Sequence, residues 1–187
     1  REIIDACRQM NLKSIRTVDE HRSGTDRVAE AATYMQSEYI INLQADEPTI
    51  DPAALTTLAE VMLTHEAPIT TLIGGCATSH QCADRNCVKA FVDSSWTAQD
   101  FSRGTNSRFK QLKSTWGRPY THVGVYGFTR HSLQAFSQLD VSCRESEEHL
   151  EQLRAIDAGW TIKVGRTDWH PIGVDIPEDA ILAEKLI

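Results

Sequence analysis

Apolar residues recur along this chain in two periods. Short runs bounded by Gly, Pro, Asp or Asn predict strands, and stripes at three- and four-residue spacing predict helices. The central run, Tyr39-Ile40-Ile41-Asn42-Leu43, has the β-branched content of a buried strand and stops at Gln44-Ala45-Asp46-Glu47-Pro48. Before it the pattern predicts a helix over residues 1–11 with Asn11 as C-cap, a short strand over 13–17, and a helix entered through Ser23 and running over 28–35. After it come a helix over 53–65 with Pro52 in its first turn, a strand over 69–73 closed by Gly74-Gly75, and a short helical stretch near 79–84. Strands over 88–92 and 96–101, a polar basic loop over 102–119 and a strand over 122–128 follow. Helices over 130–138 and 145–156, a strand over 161–164 and a helix over 180–187 complete the pattern. Strands and helices alternate throughout, so the fold class is α/β: one domain with a mainly parallel sheet and helices on both faces.

Composition narrows the class. The 187 residues suit one domain with a substantial core, and a hydrophobic content of 41% is that of a soluble protein. A net charge of -7 excludes a broad nucleic-acid-binding face, which needs excess Lys and Arg. No apolar run approaches the ~20 residues of a membrane span, and the amphipathic opening Arg1-Glu2-Ile3-Ile4-Asp5 is unlike a signal peptide, so a cytoplasmic enzyme or domain is expected. The five cysteines form no Cys-x-x-Cys pair and read as free thiols. Cys76, His80, Cys82 and Cys87 are zinc-ligand types whose spacing matches no common zinc module.

Candidate chemistry sits where predicted strands end. Asp46 and Glu47 fall just past the central strand, where open α/β sheets bind ligands. A carboxylate pair there is either a seat for a hard cation such as Mg²⁺ or a turn cap. Ser23-Gly24-Thr25-Asp26 enters a helix whose free N–H groups take an anion or a base edge, or are simply capped. Arg103, Arg108, Lys110, Lys113 and Arg118 make a cationic stretch in an acidic protein, either a solvated loop or a contact for an anionic ligand. His122, Gly124 and Tyr126 alternate onto one strand face, and a glycine there permits close approach by a ligand.

Six motifs in order go further: Ser-Gly-Thr-Asp-Arg (23–27), Asn-Leu-Gln-Ala-Asp-Glu-Pro (42–48), Phe-Ser-Arg (101–103), His-Val-Gly-Val-Tyr-Gly-Phe (122–128), Leu-Glu-Gln-Leu-Arg (150–154) and Gly-Val-Asp-Ile-Pro-Glu-Asp (173–179). Together they resemble the 3-deoxy-manno-octulosonate cytidylyltransferase (CMP-Kdo synthetase) family. The resemblance implies a Rossmann-like nucleotidyltransferase fold, Mg²⁺ dependence, a homodimer, and the conversion of CTP and Kdo to CMP-Kdo and pyrophosphate in lipopolysaccharide synthesis. It implies that Asp46 and Asp175 bind the metal and that Gln44, His122, Tyr126, Glu151 and Gln152 line the sugar-acid pocket. Arg103 matches the family's Ser-Arg element near the sugar acid, and Ser23, Gly24 and Thr25 match the loop beside the base. The chain departs from the pattern at Arg22, at Ala45 and at Gly104-Thr105-Asn106, the last implying as an alternative another sugar acid, a sialic acid or an amino-Kdo. The family's first strand and its Arg-, Ser- and Lys-bearing triphosphate loop have no counterpart in these residues. The chain by itself is therefore expected to bind CTP poorly and turn over little, and a catalytically silent dimerisation module is the remaining alternative.

Overall fold

The computed structural model describes residues 2–18, 20–169, 173–174 and 177–185. In chain order its elements are α1 (Glu2–Gln9), α2 (Gly24–Thr33), β1 (Tyr39–Asn42), α3 (Pro52–Thr64), β2 (Ile69–Cys76), α4 (Ser79–Ala83), β3 (Lys89–Val92) and β4 (Ala98–Ser102). Then follow α5 (Ser107–Trp116), β5 (Tyr120–Thr129), α6 (Arg130–Ser137), α7 (Cys143–Glu148), α8 (Gln152–Asp157), β6 (Ile162–Arg166) and α9 (Pro177–Glu184). Among the described residues no helix is long and apolar enough to cross a membrane.

β5 is the axis of the sheet. Along one side it pairs antiparallel with β2, which pairs parallel with β6. On its other side, β1 pairs with the carboxyl half of β5 and β3 with its first two residues, and β4 closes a hairpin on β3. β1, β2, β3 and β6 therefore point one way, with β5 and β4 against them. The sheet is mixed: the expected parallel character survives in strand direction, while β5, inserted against its neighbours, leaves β2–β6 as the parallel pairing among the described strands. The sheet also curls, since Thr97, just before β4, meets Lys163 of β6 in an isolated bridge.

Helices cover both faces, as expected of the class. On one, α2, α6 and α8 bury Ala29, Ala32, Leu133, Phe136, Leu153 and Ala155 against Ile40, Ile69, Ile73, Phe128, Ile162 and Val164. On the other, Ala54, Leu58 and Met62 of α3 pack on Leu72, Val123 and Val125. The central strand β1 alternates rather than being buried throughout, with Ile40 and Asn42 inward and Tyr39 and Ile41 exposed.

Local departures have local causes. Residues 13–17 form no strand and are mostly exposed. β2 runs on through Gly74-Gly75 to Cys76 instead of closing there. The expected loop over 102–119 holds α5, capped by Asn106, whose Oδ1 accepts the Phe109 N–H at 2.9 Å, and ended by Gly117 at φ +80°. One buried side chain, Phe109 against Phe91, anchors it, too thin an apolar stripe to be legible. The expected acidic helix over 145–156 breaks at His149, φ +52°, which drops Leu150 into the core.

α3 lies so close to the sheet that Gly127 has no room for a side chain. A Cβ there would stand 2.2 Å from Met62 Sδ and 2.4 Å from Thr70 Oγ1. Gly127→Ala is expected to destabilise the protein by about 1–3 kcal/mol through overpacking. Urea unfolding measures it, and an unchanged midpoint would show that α3 does not press on β5.

Candidate functional site

The site begins at an irregularity in β5. Thr71 of β2 pairs with Tyr126, but the next residue, Leu72, pairs with Val123, so Gly124 and Val125 are extra residues on β5. The Thr71 hydroxyl donates to the Val125 carbonyl at 2.7 Å and so holds the bulge. Residues four apart on a regular strand are separated by about 13 Å. The bulge instead brings the His122 and Tyr126 rings to 5.5 Å, with Phe101 edge-on to His122 at 5.0 Å. Re-aiming side chains beside functional sites is a recurring use of bulges.

The same hydroxyl sets the histidine. Thr71 Oγ1 lies 3.3 Å from the Val123 carbonyl and 3.0 Å from His122 Nε2 as well; with its proton on the nearer Val125 carbonyl it accepts from Nε2. His122 therefore carries its hydrogen on Nε2 and leaves Nδ1 as an acceptor. Burial, and next the Arg103 charge, lower its pKa to about 3, so the ring is neutral at pH 7. Tyr126 is shifted upward, first by burial and then by Glu151, so its phenol remains a donor.

A second set of contacts joins this strip to the amino end of α2. The Thr25 hydroxyl donates to Glu151 Oε1, and the Thr25 N–H approaches Oε2 at 3.4 Å. Asn42, at the end of β1, donates to Thr25 Oγ1 at 2.9 Å and accepts from Gln44 Nε2 at 3.2 Å. Arg154, three residues beyond Glu151, is fully buried. Its guanidinium donates to both Glu145 oxygens, at 2.8 and 2.5 Å, reaches Asp26 at 3.3 Å, and lies 4.9 Å over the Phe136 ring. Arg154 thus staples the α7–α8 joint to the first turn of α2.

The structure brings some of the predicted residues together and leaves others apart. Arg103, His122, Tyr126, Glu151, Thr25 and Gln44 are linked through these contacts and charges. Asp46 is an exposed side chain two residues beyond Gln44, and its backbone carbonyl accepts the Val174 N–H at 2.8 Å. Asp175 lies outside the described residues. Ser23 is the N-cap of α2, its Oγ accepting the Asp26 N–H at 3.2 Å, which leaves the hydroxyl proton free. Gly24 is exposed, and a Cβ there would make only ordinary contact with Gln44. Gln152 is buried beside Tyr126, Phe128 and Ile69, with its Nε2 lacking a hydrogen bond. A cleft of about 390 Å³ lined by Arg22, Ser23, Glu145, His149 and Glu151 opens beside the strip.

Sequence reasoning missed Thr71, Asn42 and Arg154. A threonine in an apolar strand, an asparagine at a strand end and an arginine flanked by Leu153, Ala155 and Ile156 were each signals of buried polar work. The cysteines are all free, and no group of three or more metal-type side chains occurs among the described residues.

The description "Cytidylyltransferase" belongs to a family model that matches residues 1–163. A 3-deoxy-manno-octulosonate cytidylyltransferase from Solibacter usitatus is 38% identical over 98% of this chain and 73% of its own length. One from Chlorobium phaeobacteroides is 37% identical over 99% of this chain and 75% of its own. A solved structure of CMP:2-keto-3-deoxy-manno-octonic acid synthetase complexed with CTP superposes with a TM-score of 0.85 at 33% identity, covering 98% of this chain and 78% of the other.

The depressed histidine makes a pH prediction. Unfolded, His122 takes a proton near pH 6.5; folded, it does so only near 3. Its contribution to stability is complete above pH 6.5 and declines as pH falls toward 3, because only the unfolded chain binds the proton. Between pH 6.5 and 5 the unfolding free energy is expected to fall by roughly 1.5 kcal/mol more than in a His122→Gln variant. Parallel urea titrations at the two pH values check this; equal falls would mean that the native ring titrates normally.

Proposed function

The chain belongs to the cytidylyltransferase family, and we propose from that premise that it joins CTP to 3-deoxy-D-manno-octulosonate, giving CMP-Kdo and pyrophosphate. The observation that carries this reading is the extent of the likeness: it runs along nearly the whole chain, through every element that bears the polar strip. In the reaction the anomeric hydroxyl oxygen of Kdo attacks the α-phosphorus of CTP, the α–β phosphoanhydride bond breaks, and the hydroxyl proton is released. Such a displacement needs positioning and charge neutralisation more than acid–base groups.

The strip supplies chemistry for a polyhydroxylated acid. Arg103 offers a guanidinium to the sugar-acid carboxylate. His122 Nδ1, the Glu151 carboxylate and Gln44 Oε1 offer acceptors to hydroxyls, and the Tyr126 phenol offers a donor. The first turn of α2 lies beside them for the nucleotide. Gly104-Thr105-Asn106, the departure that motivated another sugar acid, has a structural use: Asn106 caps α5, and the Gly104 N–H donates to Ser102 Oγ at 3.2 Å. Kdo therefore remains the favoured substrate.

The metal fits the residues present. Mg²⁺ prefers one or two carboxylates plus substrate phosphates, and Asp46 is an exposed carboxylate whose turn docks on Val174, one residue before Asp175 in sequence. Asp46 and Asp175 would hold it, the latter by the family resemblance. When bound, the cation offsets charge at the α-phosphate and makes the sugar hydroxyl more acidic. The reading is completed by a cytoplasmic homodimer, as the resemblance implies.

Two measurements test this. The full-length protein, given CTP, Mg²⁺ and a panel of sugar acids, is expected to release pyrophosphate with Kdo; release with a sialic acid instead would reassign the substrate. Asp46→Asn is expected to lower turnover by roughly a thousandfold or more while leaving the melting temperature nearly unchanged, because the amide keeps the shape and loses the charge. Near-normal turnover with a lowered melting temperature would make Asp46 a turn residue.

A further inference from the structure

Lys89 is fully buried, yet among the described residues no carboxylate forms an ion pair with it; its ammonium donates instead to three carbonyls, those of Asp84, Cys87 and Arg103, each at 2.8 Å. All three of its donors are used, so it is saturated by backbone oxygen. Glu148, also buried, takes the opposite part: its Oε2 accepts the Arg103 N–H at 2.8 Å, and its Oε1 accepts from Ser102 Oγ at 3.1 Å and from Arg108 Nη1 at 3.2 Å. Arg103 is therefore gripped at both of its peptide groups, the N–H by an anion and the carbonyl by a cation. Hydrogen bonds to charged groups are shorter and stronger than neutral ones, and this residue has one on each side.

Its side chain is held quite differently. The Arg103 Nη1 reaches the Arg85 and Asn86 carbonyls at 3.4 and 3.5 Å, at the outer limit of hydrogen bonding. The carbonyls of residues 84 to 87 thus all face cations, two on Lys89 and two on Arg103. The outer two hold their partner loosely. A rigid backbone bearing a loosely tethered guanidinium suits a group that must turn onto an incoming anion from a fixed root.

We propose that Lys89 and Glu148 are positioning residues for substrate: by clamping the Arg103 backbone between opposite buried charges, they aim its guanidinium at the carboxylate of the sugar acid. The inference rests on the reading of Arg103 given above and adds two residues that never touch substrate. The bland alternative is a lysine and a glutamate that only hold a loop together. The two differ in what removal does to affinity. A stabilising lysine alters the fraction folded, whereas a positioning lysine alters sugar-acid binding by molecules that are folded, and does so only through Arg103.

The experiment is a double-mutant cycle on the full-length protein, reading the Kd for Kdo and, separately, for CTP at a temperature where each variant is folded. Lys89→Met keeps length and removes the charge, and Glu148→Gln keeps shape and removes the charge. Each is expected to raise the Kd for Kdo about tenfold, equivalent to about 1.4 kcal/mol, with the Kd for CTP within twofold of the unaltered protein. In an Arg103→Ala background neither is expected to weaken Kdo further, since residues acting through one another are not additive. A full tenfold loss in that background, or unchanged Kdo affinity with a lowered melting temperature, overturns the clamp. Should Lys89→Met not fold, the Glu148→Gln arm decides alone. Unaltered protein that binds no Kdo overturns the functional reading and the clamp with it, an outcome distinct from binding that is insensitive to both variants.

Discussion

The Thr71 hydroxyl has one proton, and the arrangement of the strip depends on where that proton goes. By donating to the Val125 carbonyl it holds two extra residues out of register in β5. By accepting from His122 it sets the tautomer of the one histidine in the strip. Were β5 regular, His122 and Tyr126 would stand about 13 Å apart and could not share a ligand. With the bulge their rings are neighbours, Phe101 closes one flank, and Tyr126 faces Glu151. A hydroxyl between two strands thus converts a periodic sequence into a compact polar surface.

Around that strip, buried and half-buried charges fix how the elements sit on one another. Arg154 bridges Glu145 and Asp26, tying the α7–α8 joint to α2 and bringing Glu151 to Thr25. Asp100, between Arg108 and Arg144, ties β4 to α5 and α7. Buried ion pairs of this kind add little net stability, but breaking one by removing a single partner is expensive, so they specify geometry more than they strengthen it. That is the property a site needs when its side chains come from five elements scattered along the chain.

Most element positions were legible because burial leaves a period. α3, β2, β3, α6 and β6 lie within a few residues of their expected bounds, since each carries a clear apolar face or run. What escaped carries weak or misleading patterning. α5 has one buried anchor, Phe109, and residues 13–17 are β-prone in composition yet form no strand. The acidic stretch read as one helix because periodicity records faces, not the αL turn at His149 that divides it. Ser23 was equally readable as a cap or a ligand residue; it does cap α2, accepting the Asp26 N–H.

By itself the sequence determined the α/β class, the places of most elements, helices on both faces, and, through six ordered motifs, which residues to watch. Residue type and spacing are enough for these, because solvent exclusion acts on periodicity and motifs are strings. Tertiary structure decided that β5 runs against its neighbours, that a bulge joins His122 to Tyr126, and that Asn42, Thr71 and Arg154 hold the strip together. Each of those rests on a hydrogen bond or ion pair between residues far apart in sequence, whose directions and partners exist only once the chain has closed on itself.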